Sequence, residues 1–120
     1  MAQISKRVLT AWKKFNDDVQ AFIQETEPES GYATLYEDAN TTRRVKGFVL
    51  CENGRLDWYE EDYNGNGDFE TWYISNDDEA RDYLSFWRAC LRRAKRYWSM
   101  DAIELDRLQD GEVEDKEEED

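Results

Sequence analysis

The sequence predicts an α+β fold in which one helix precedes an antiparallel meander of about four strands, and a long and a short helix follow it. Three observations predict this fold. Apolar residues recur at helical spacing in the first and last thirds of the chain, short runs rich in aromatic and β-branched residues fill the middle third, and an Asn-Gly pair separates two of those runs. A chain of 120 residues has the usual length of one domain and buries a core without disulfide or metal support.

The first predicted helix runs from about Ile4 to Gln24. Its apolar face consists of Ile4, Val8, Ala11, Trp12, Phe15, Val19, Phe22 and Ile23. Pro28 and Gly31 follow in a polar segment, and the helix must end before them because proline lacks the amide hydrogen that a helix interior needs.

The four predicted strands cover residues 32–37, 45–52, 55–61 and 69–75. Asn53-Gly54 predicts a two-residue type I′ turn between the second and third strands, because both residues tolerate positive φ. Pairing outward from that turn places Cys51 opposite Leu56 and Phe48 opposite Tyr59.

Two capping patterns predict the remaining helices. Asn76 is followed three residues later by Glu79, which is typical of a helix start, and an apolar stripe then predicts a helix to about Trp98. That stripe consists of Ala80, Tyr83, Leu84, Trp87, Leu91, Ala94 and Trp98. Asp101 and Glu104 repeat the capping pattern and predict a short third helix.

Charge divides the chain into a folded body, residues 1–109, and an acidic tail, residues 110–120. The tail holds eight acidic residues, one lysine and a single apolar side chain, Val113, so it has almost nothing to bury and is predicted to be disordered. The cationic residues Arg88, Arg92, Arg93, Lys95 and Arg96 crowd the end of the second helix. We expect them to neutralise acids of the sheet or of the tail and to complement the helix dipole.

The net charge of −13 excludes several classes of partner. A surface dense in carboxylates repels nucleic acid and anionic membranes, and no apolar run approaches the roughly 20 residues of a membrane span. The N-terminal residues lack the apolar centre of a signal peptide. Cys51 and Cys90 have no metal-site spacing and fit reduced, buried thiols. These features predict a cytoplasmic protein.

We predict that the protein is not an enzyme and holds no cofactor. The chain contains no histidine, which removes the commonest general base and metal ligand, and its 29 acidic residues are too many for any pair of them to indicate catalysis. Asp62, Asn64, Asn66, Gly67 and Asp68 match the first half of an EF-hand calcium loop. Tyr73 stands where that loop needs a glutamate, which favours a polar hairpin loop and leaves calcium as the alternative.

The candidate binding surface is an acidic, aromatic stretch in the third and fourth strands. Its predicted partner-binding residues are Asp57, Tyr59, Glu60, Glu61, Asp62, Tyr63, Asp68 and Glu70. Like charges that meet across a sheet destabilise it, and aromatic residues ringed by charge are typical of protein interfaces. The alternative is a solvated sheet edge whose charges prevent strand-to-strand aggregation.

The chain resembles small acidic immunity proteins of bacterial toxin–immunity systems, such as contact-dependent inhibition and polymorphic toxin systems. The features that carry the resemblance are residues 51–59 (CENGRLDWY), the acidic aromatic loop after them and the helix–meander–helix order over residues 4–98. The resemblance implies a cytoplasmic toxin inhibitor, or antitoxin, that occludes the active or substrate-binding surface of a cognate toxin, often a basic nuclease. The alternative function is an acidic nucleic-acid mimic that inhibits a host or phage DNA-binding enzyme. No oligomeric state is predicted.

Overall fold

The computed structural model describes residues 3–62 and 64–111. Its elements are α1 (Lys6–Thr26), β1 (Ala33–Asp38), β2 (Thr41–Leu50), β3 (Arg55–Glu61), β4 (Gly67–Tyr73), α2 (Asp77–Trp98) and α3 (Ala102–Gln109). The strands form one antiparallel sheet in the order β1-β2-β3-β4. The predicted α+β fold and its order of elements are confirmed. Residues 112–120 of the predicted disordered tail lie outside the described residues.

Side-chain caps fix the beginnings of the helices. The Ser5 hydroxyl accepts a hydrogen bond from the Val8 amide at 3.3 Å, and the Asn76 side chain accepts one from the Glu79 amide at 2.9 Å. At α3, Asp101 and Glu104 form a complete capping box. Because each cap satisfies an amide that the helix leaves unpaired, the starts predicted for α2 and α3 are confirmed, whereas Ser5 delays the start of α1 by two residues.

The core lies between α1, α2 and one face of the sheet. Phe48 of β2 is central to it, since its ring centroid lies 4.8 Å from that of Trp87 and 5.4 Å from that of Phe15. The indole Nε1 of Trp12 donates a hydrogen bond to the Ala80 carbonyl at 3.1 Å, which ties α1 to α2. A smaller cluster of Ala39, Tyr97 and Leu108 packs α3 against the end of α2.

The turn between β2 and β3 differs from the prediction. Leu50 lies opposite Leu56 and Phe48 opposite Trp58, so the predicted register and type I′ turn are wrong. The Cys51 amide donates to the Arg55 carbonyl at 2.8 Å, and the three residues between them form the loop. In the described part of the chain only glycines have positive φ, and the φ of Gly54 is 96°. One left-handed glycine at the end of a three-residue loop is the usual alternative to a type I′ turn.

A bulge in β2 shifts the register again. Val45 lies opposite Glu60 and Phe48 opposite Trp58, so β2 carries one extra residue at Lys46-Gly47. The Asn16 side chain accepts a hydrogen bond from the Phe48 amide at 2.8 Å. A Cβ atom at Gly47 would collide with Asn16, so the glycine is what lets α1 approach the bulge.

The two edges of the sheet differ. At the β1 edge, Arg93 of α2 donates to the Tyr36 carbonyl at 3.3 Å, so a helix side chain covers part of that edge. At the other edge β4 is exposed along nearly its whole length. No described helix is both long and apolar enough to cross a lipid bilayer.

Candidate protein-binding surface

The structure places the described members of the predicted binding surface on opposite faces of the β3–β4 hairpin. Residues directly opposite one another in antiparallel strands share a face. Glu60 lies opposite Asp68 and buried Val45, and Trp58 lies opposite Glu70 and buried Phe48, so these three acids lie on the helix-facing side. The opposite face carries Asp57, Tyr59 and Glu61. Tyr63 lies outside the described residues.

Three of the acids already have arginine partners. Arg55 lies 3.0 Å from Asp57, Arg43 lies 3.2 Å from Glu60, and Arg44 contacts Glu61. These arginines belong to β2 and β3. Paired carboxylates attract a cationic partner less strongly than free ones do.

Asp57 has two side-chain partners. Besides Arg55, the Thr71 hydroxyl donates to its carboxylate at 2.7 Å. Partial burial opposes the charged form, but the hydrogen bonds from Thr71 and Arg55 and the charge of Arg55 outweigh it, so the pKa of Asp57 lies below its ordinary value. Asp57 therefore stabilises the pairing of β3 with β4.

Asp62 stabilises the loop between β3 and β4. Its carboxylate accepts hydrogen bonds from the Asn64 amide at 2.9 Å and the Asn66 amide at 3.0 Å, and Gly65 provides the left-handed turn with φ of 86°. Glycine and not asparagine therefore takes the left-handed conformation in this polar loop. Within residues 3–62 and 64–111, no three His, Cys, Asp or Glu side chains are grouped to hold a metal ion.

Tyr59 is part of an aromatic cluster on the outer face of the sheet. Its ring stacks on Tyr32 with centroids 6.4 Å apart and meets Phe69 edge-on at 5.0 Å. The Lys46 ammonium lies 5.2 Å from the Tyr59 centroid, within cation–π distance. Tyr59 is half-buried and supports its neighbour Phe69.

The exposed aromatic side chains belong to β4. Phe69 is 78% exposed, Tyr73 74% and Trp72 47%. Asp68 and Glu70 alternate with them, and neither forms an ion pair with a described residue. Phe69, Trp72 and Tyr73 were not among the predicted partner-binding residues, because apolar residues on both faces of a strand are typical of a strand buried on both faces.

The backbone of β4 is open along its outer edge. The Ile74 amide donates to the Gly54 carbonyl at 2.8 Å, which fixes the phase of the hydrogen-bond ladder with β3. Hydrogen-bonded and non-hydrogen-bonded residues alternate along an antiparallel strand. The backbone groups of Trp72, Glu70 and Asp68 therefore bond to β3. Those of Phe69, Thr71 and Tyr73 point away from the sheet. An edge of this kind is a template for another strand.

An aromatic groove adjoins this edge on the helix-facing side. It encloses about 530 Å³ between β3, β4 and the first half of α2. Its aromatic walls are Trp58, Trp72, Tyr83, Phe86 and Trp87, and its polar lining residues are Arg43, Glu70 and Asp82. The guanidinium of Arg43 lies 5.4 Å from the Trp87 centroid, so the groove already holds one cation against an aromatic wall.

Comparison of the chain with protein-family models, with curated proteins and with solved structures found no match.

Proposed function

We propose that this protein binds and neutralises a basic protein, in particular a bacterial toxin domain such as a nuclease, by docking β4 onto that protein's active or substrate-binding surface. One observation carries the proposal: β4 is an open edge strand with exposed aromatic side chains on both of its faces. Large apolar side chains exposed next to an unpaired backbone edge are characteristic of surfaces that bind another protein.

The charge of the chain supports a cationic partner. A net charge of −13 accelerates encounter with a basic protein and slows encounter with an acidic one. Asp68 and Glu70 flank the exposed aromatics without cationic partners in the described chain, so they are available for ion pairs across the interface. Aromatic residues surrounded by such pairs are typical hot spots.

We place this binding in the cytoplasm and take it to inhibit the partner without any catalytic step. Two free cysteines support a reducing, cytoplasmic location. Occlusion by binding, without catalysis, fits a chain that lacks histidine. The nucleic-acid mimic receives less support, because such a mimic needs carboxylates along one extended face, whereas those of β3 and β4 divide between two faces and three of them contact arginines.

The test compares two exposed surfaces of the same protein. Phe69→Ser with Tyr73→Ser removes the aromatic side chains of the outer face of β4, and Trp98→Ser with Ile103→Ser is the matched control, since those side chains are 57% and 70% exposed elsewhere. Each protein is co-expressed with the product of the neighbouring gene, and the affinity for the purified partner is measured. We expect the β4 variant to lose at least about 100-fold in affinity, as loss of two hot-spot side chains does, and to lose protection of growth.

The control variant should bind and protect as the wild type does. Equal binding by the β4 variant and the wild type, or loss of binding in the control alone, would overturn the docking surface. A neighbouring gene product that is not basic and does not bind would overturn the toxin assignment.

A further inference from the structure

We propose that the aromatic groove beside β4 is a binding site for an arginine side chain presented by the basic partner. This inference rests on the proposed function and names the chemical group that the groove recognises. The site is distinct from the outer face of β4, because Trp72 and Glu70 point to the helix-facing side while Phe69 and Tyr73 point to the other.

The shape of the groove suits a planar, apolar-faced cation. Its volume of about 530 Å³ holds a long side chain. Four of its lining rings contact one another in pairs: the ring centroids of Trp72 and Tyr83 lie 5.6 Å apart, and those of Phe86 and Trp87 lie 5.1 Å apart. A guanidinium stacks on such rings, as Arg43 already does on Trp87.

The charge of the groove favours one more cation. Arg43 is the cationic lining residue, and Glu37 and Glu60 contact it at 2.6 and 3.2 Å. Burial opposes the charge of Arg43, but Glu37 and Glu60 outweigh it, so the pKa of Arg43 is raised and its guanidinium is already paired with two carboxylates. Glu70 and Asp82 remain as exposed carboxylates without an ion-pair partner in the described chain.

Arginine fits this arrangement better than other side chains do. Its planar guanidinium can stack on the aromatic walls while it donates hydrogen bonds to a carboxylate at the rim. A lysine presents a compact, strongly hydrated charge and stacks less well. A neutral apolar side chain can fill the groove between the aromatic rings but leaves Glu70 and Asp82 without a counter-charge.

The experiment uses the full chain and three short peptides, each with one residue between acetyl-glycine and glycine-amide. That central residue is arginine, lysine or citrulline. Citrulline has the shape of arginine without its charge. Binding is followed by NMR through the indole Nε1–H signals of the five tryptophans. We expect the arginine peptide to shift the signals of Trp58, Trp72 and Trp87, which line the groove, and to leave those of Trp12 and Trp98 in place.

The expected order of affinities is arginine, then lysine, then citrulline, with at least about a fivefold difference between the first and the last because a cation–π contact is lost with the charge. Glu70→Gln with Asp82→Asn should weaken binding of the arginine peptide by at least about fivefold. Asp17→Asn with Glu29→Gln removes the same charge from exposed residues that do not line the groove. This change should alter the affinity by less than about twofold, since exposed charges are screened by salt.

Equal affinity for the arginine and citrulline peptides would overturn the proposal, as would shifts confined to Trp98. The two proposals fail separately. A partner that needs Phe69 and Tyr73 but ignores the change at Glu70 and Asp82 removes the groove proposal and leaves the proposed function. A groove that selects arginine in a protein whose partner binds equally well after Phe69→Ser with Tyr73→Ser removes the proposed function alone.

Discussion

The ring of Tyr59 in β3 lies against the backbone of Gly67 in β4, in the space that a side chain at position 67 would occupy. An aromatic ring laid over a glycine of the neighbouring strand covers backbone that the glycine leaves bare. Tyr59, which was predicted to contact a partner, thus contributes to the pairing of β3 with β4 and to the support of Phe69.

Gly67→Ala should destabilise the protein by about 1–2 kcal/mol, because the new methyl group displaces the Tyr59 ring. In a Tyr59→Ala background the same change should be neutral or stabilising, since alanine loses less backbone entropy than glycine in a strand. Urea denaturation of the four proteins measures both effects. A similar cost of Gly67→Ala in the two backgrounds would show that the ring does not require the glycine.

Gly54→Ala should cost about 1–2 kcal/mol of stability, because alanine at a φ of 96° carries the steric penalty of the left-handed region. Asn53→Ala should cost less, since Asn53 has negative φ and loses only its hydrogen bond from the Arg55 amide at 3.1 Å. Thermal or urea unfolding distinguishes the two. A cost at Asn53 as large as that at Gly54 would indicate a type I′ turn after all.

Glu27 should contribute to stability above the acid range. Burial opposes its charged form, but hydrogen bonds from Thr34 and Arg44 and the charge of Arg44 outweigh that effect, so the pKa of Glu27 is lowered from 4.5. Because the folded pKa lies below the unfolded one, this contribution is complete above about pH 4.5 and is lost as the pH falls through the folded pKa.

Glu27→Gln should therefore lower the free energy of unfolding at pH 7 by about 1 kcal/mol or less, the magnitude of a partly exposed ion pair. The difference from the wild type should shrink as the pH falls below about 4.5. Glu29→Gln, an exposed neighbour, is the control and should show little difference at either pH. A difference between Glu27→Gln and wild type that grows on acidification would contradict the assignment.

The two cysteines should differ in reactivity. Burial raises the pKa of Cys90 to about 11, and its side chain is 1% exposed, so a thiol reagent should reach it only when the protein unfolds. Cys51 directly follows β2 and is half-buried, so it should react first. Labelling with a thiol reagent should proceed in two phases, and Cys51→Ser should abolish the fast one. A fast phase that persists in Cys51→Ser would show that the core around Cys90 opens readily.

Elements with local signals can be placed from the amino-acid sequence alone. Asn76 and Asp101 satisfy amides only three residues away, so the starts of α2 and α3 are visible in the chain. The fold class and the order of elements follow from helical and alternating periodicity for the same reason, because both periods are properties of neighbouring residues. The acidity of the chain, and with it the expectation of a cationic partner, is also a property of composition.

Strand register, charge pairing and the exposure of the sheet edges depend on contacts between distant parts of the chain. The bulge at Gly47 depends on Asn16, 32 residues before the amide of Phe48 that it binds, so no pattern within β2 could place it. The same bulge, together with the turn at Gly54, decided which acids of β3 meet arginines of β2. Contacts between distant segments decide which edge of the sheet a helix covers. They also decide where the aromatic groove forms beside the open edge, and such contacts leave no local signal in the sequence.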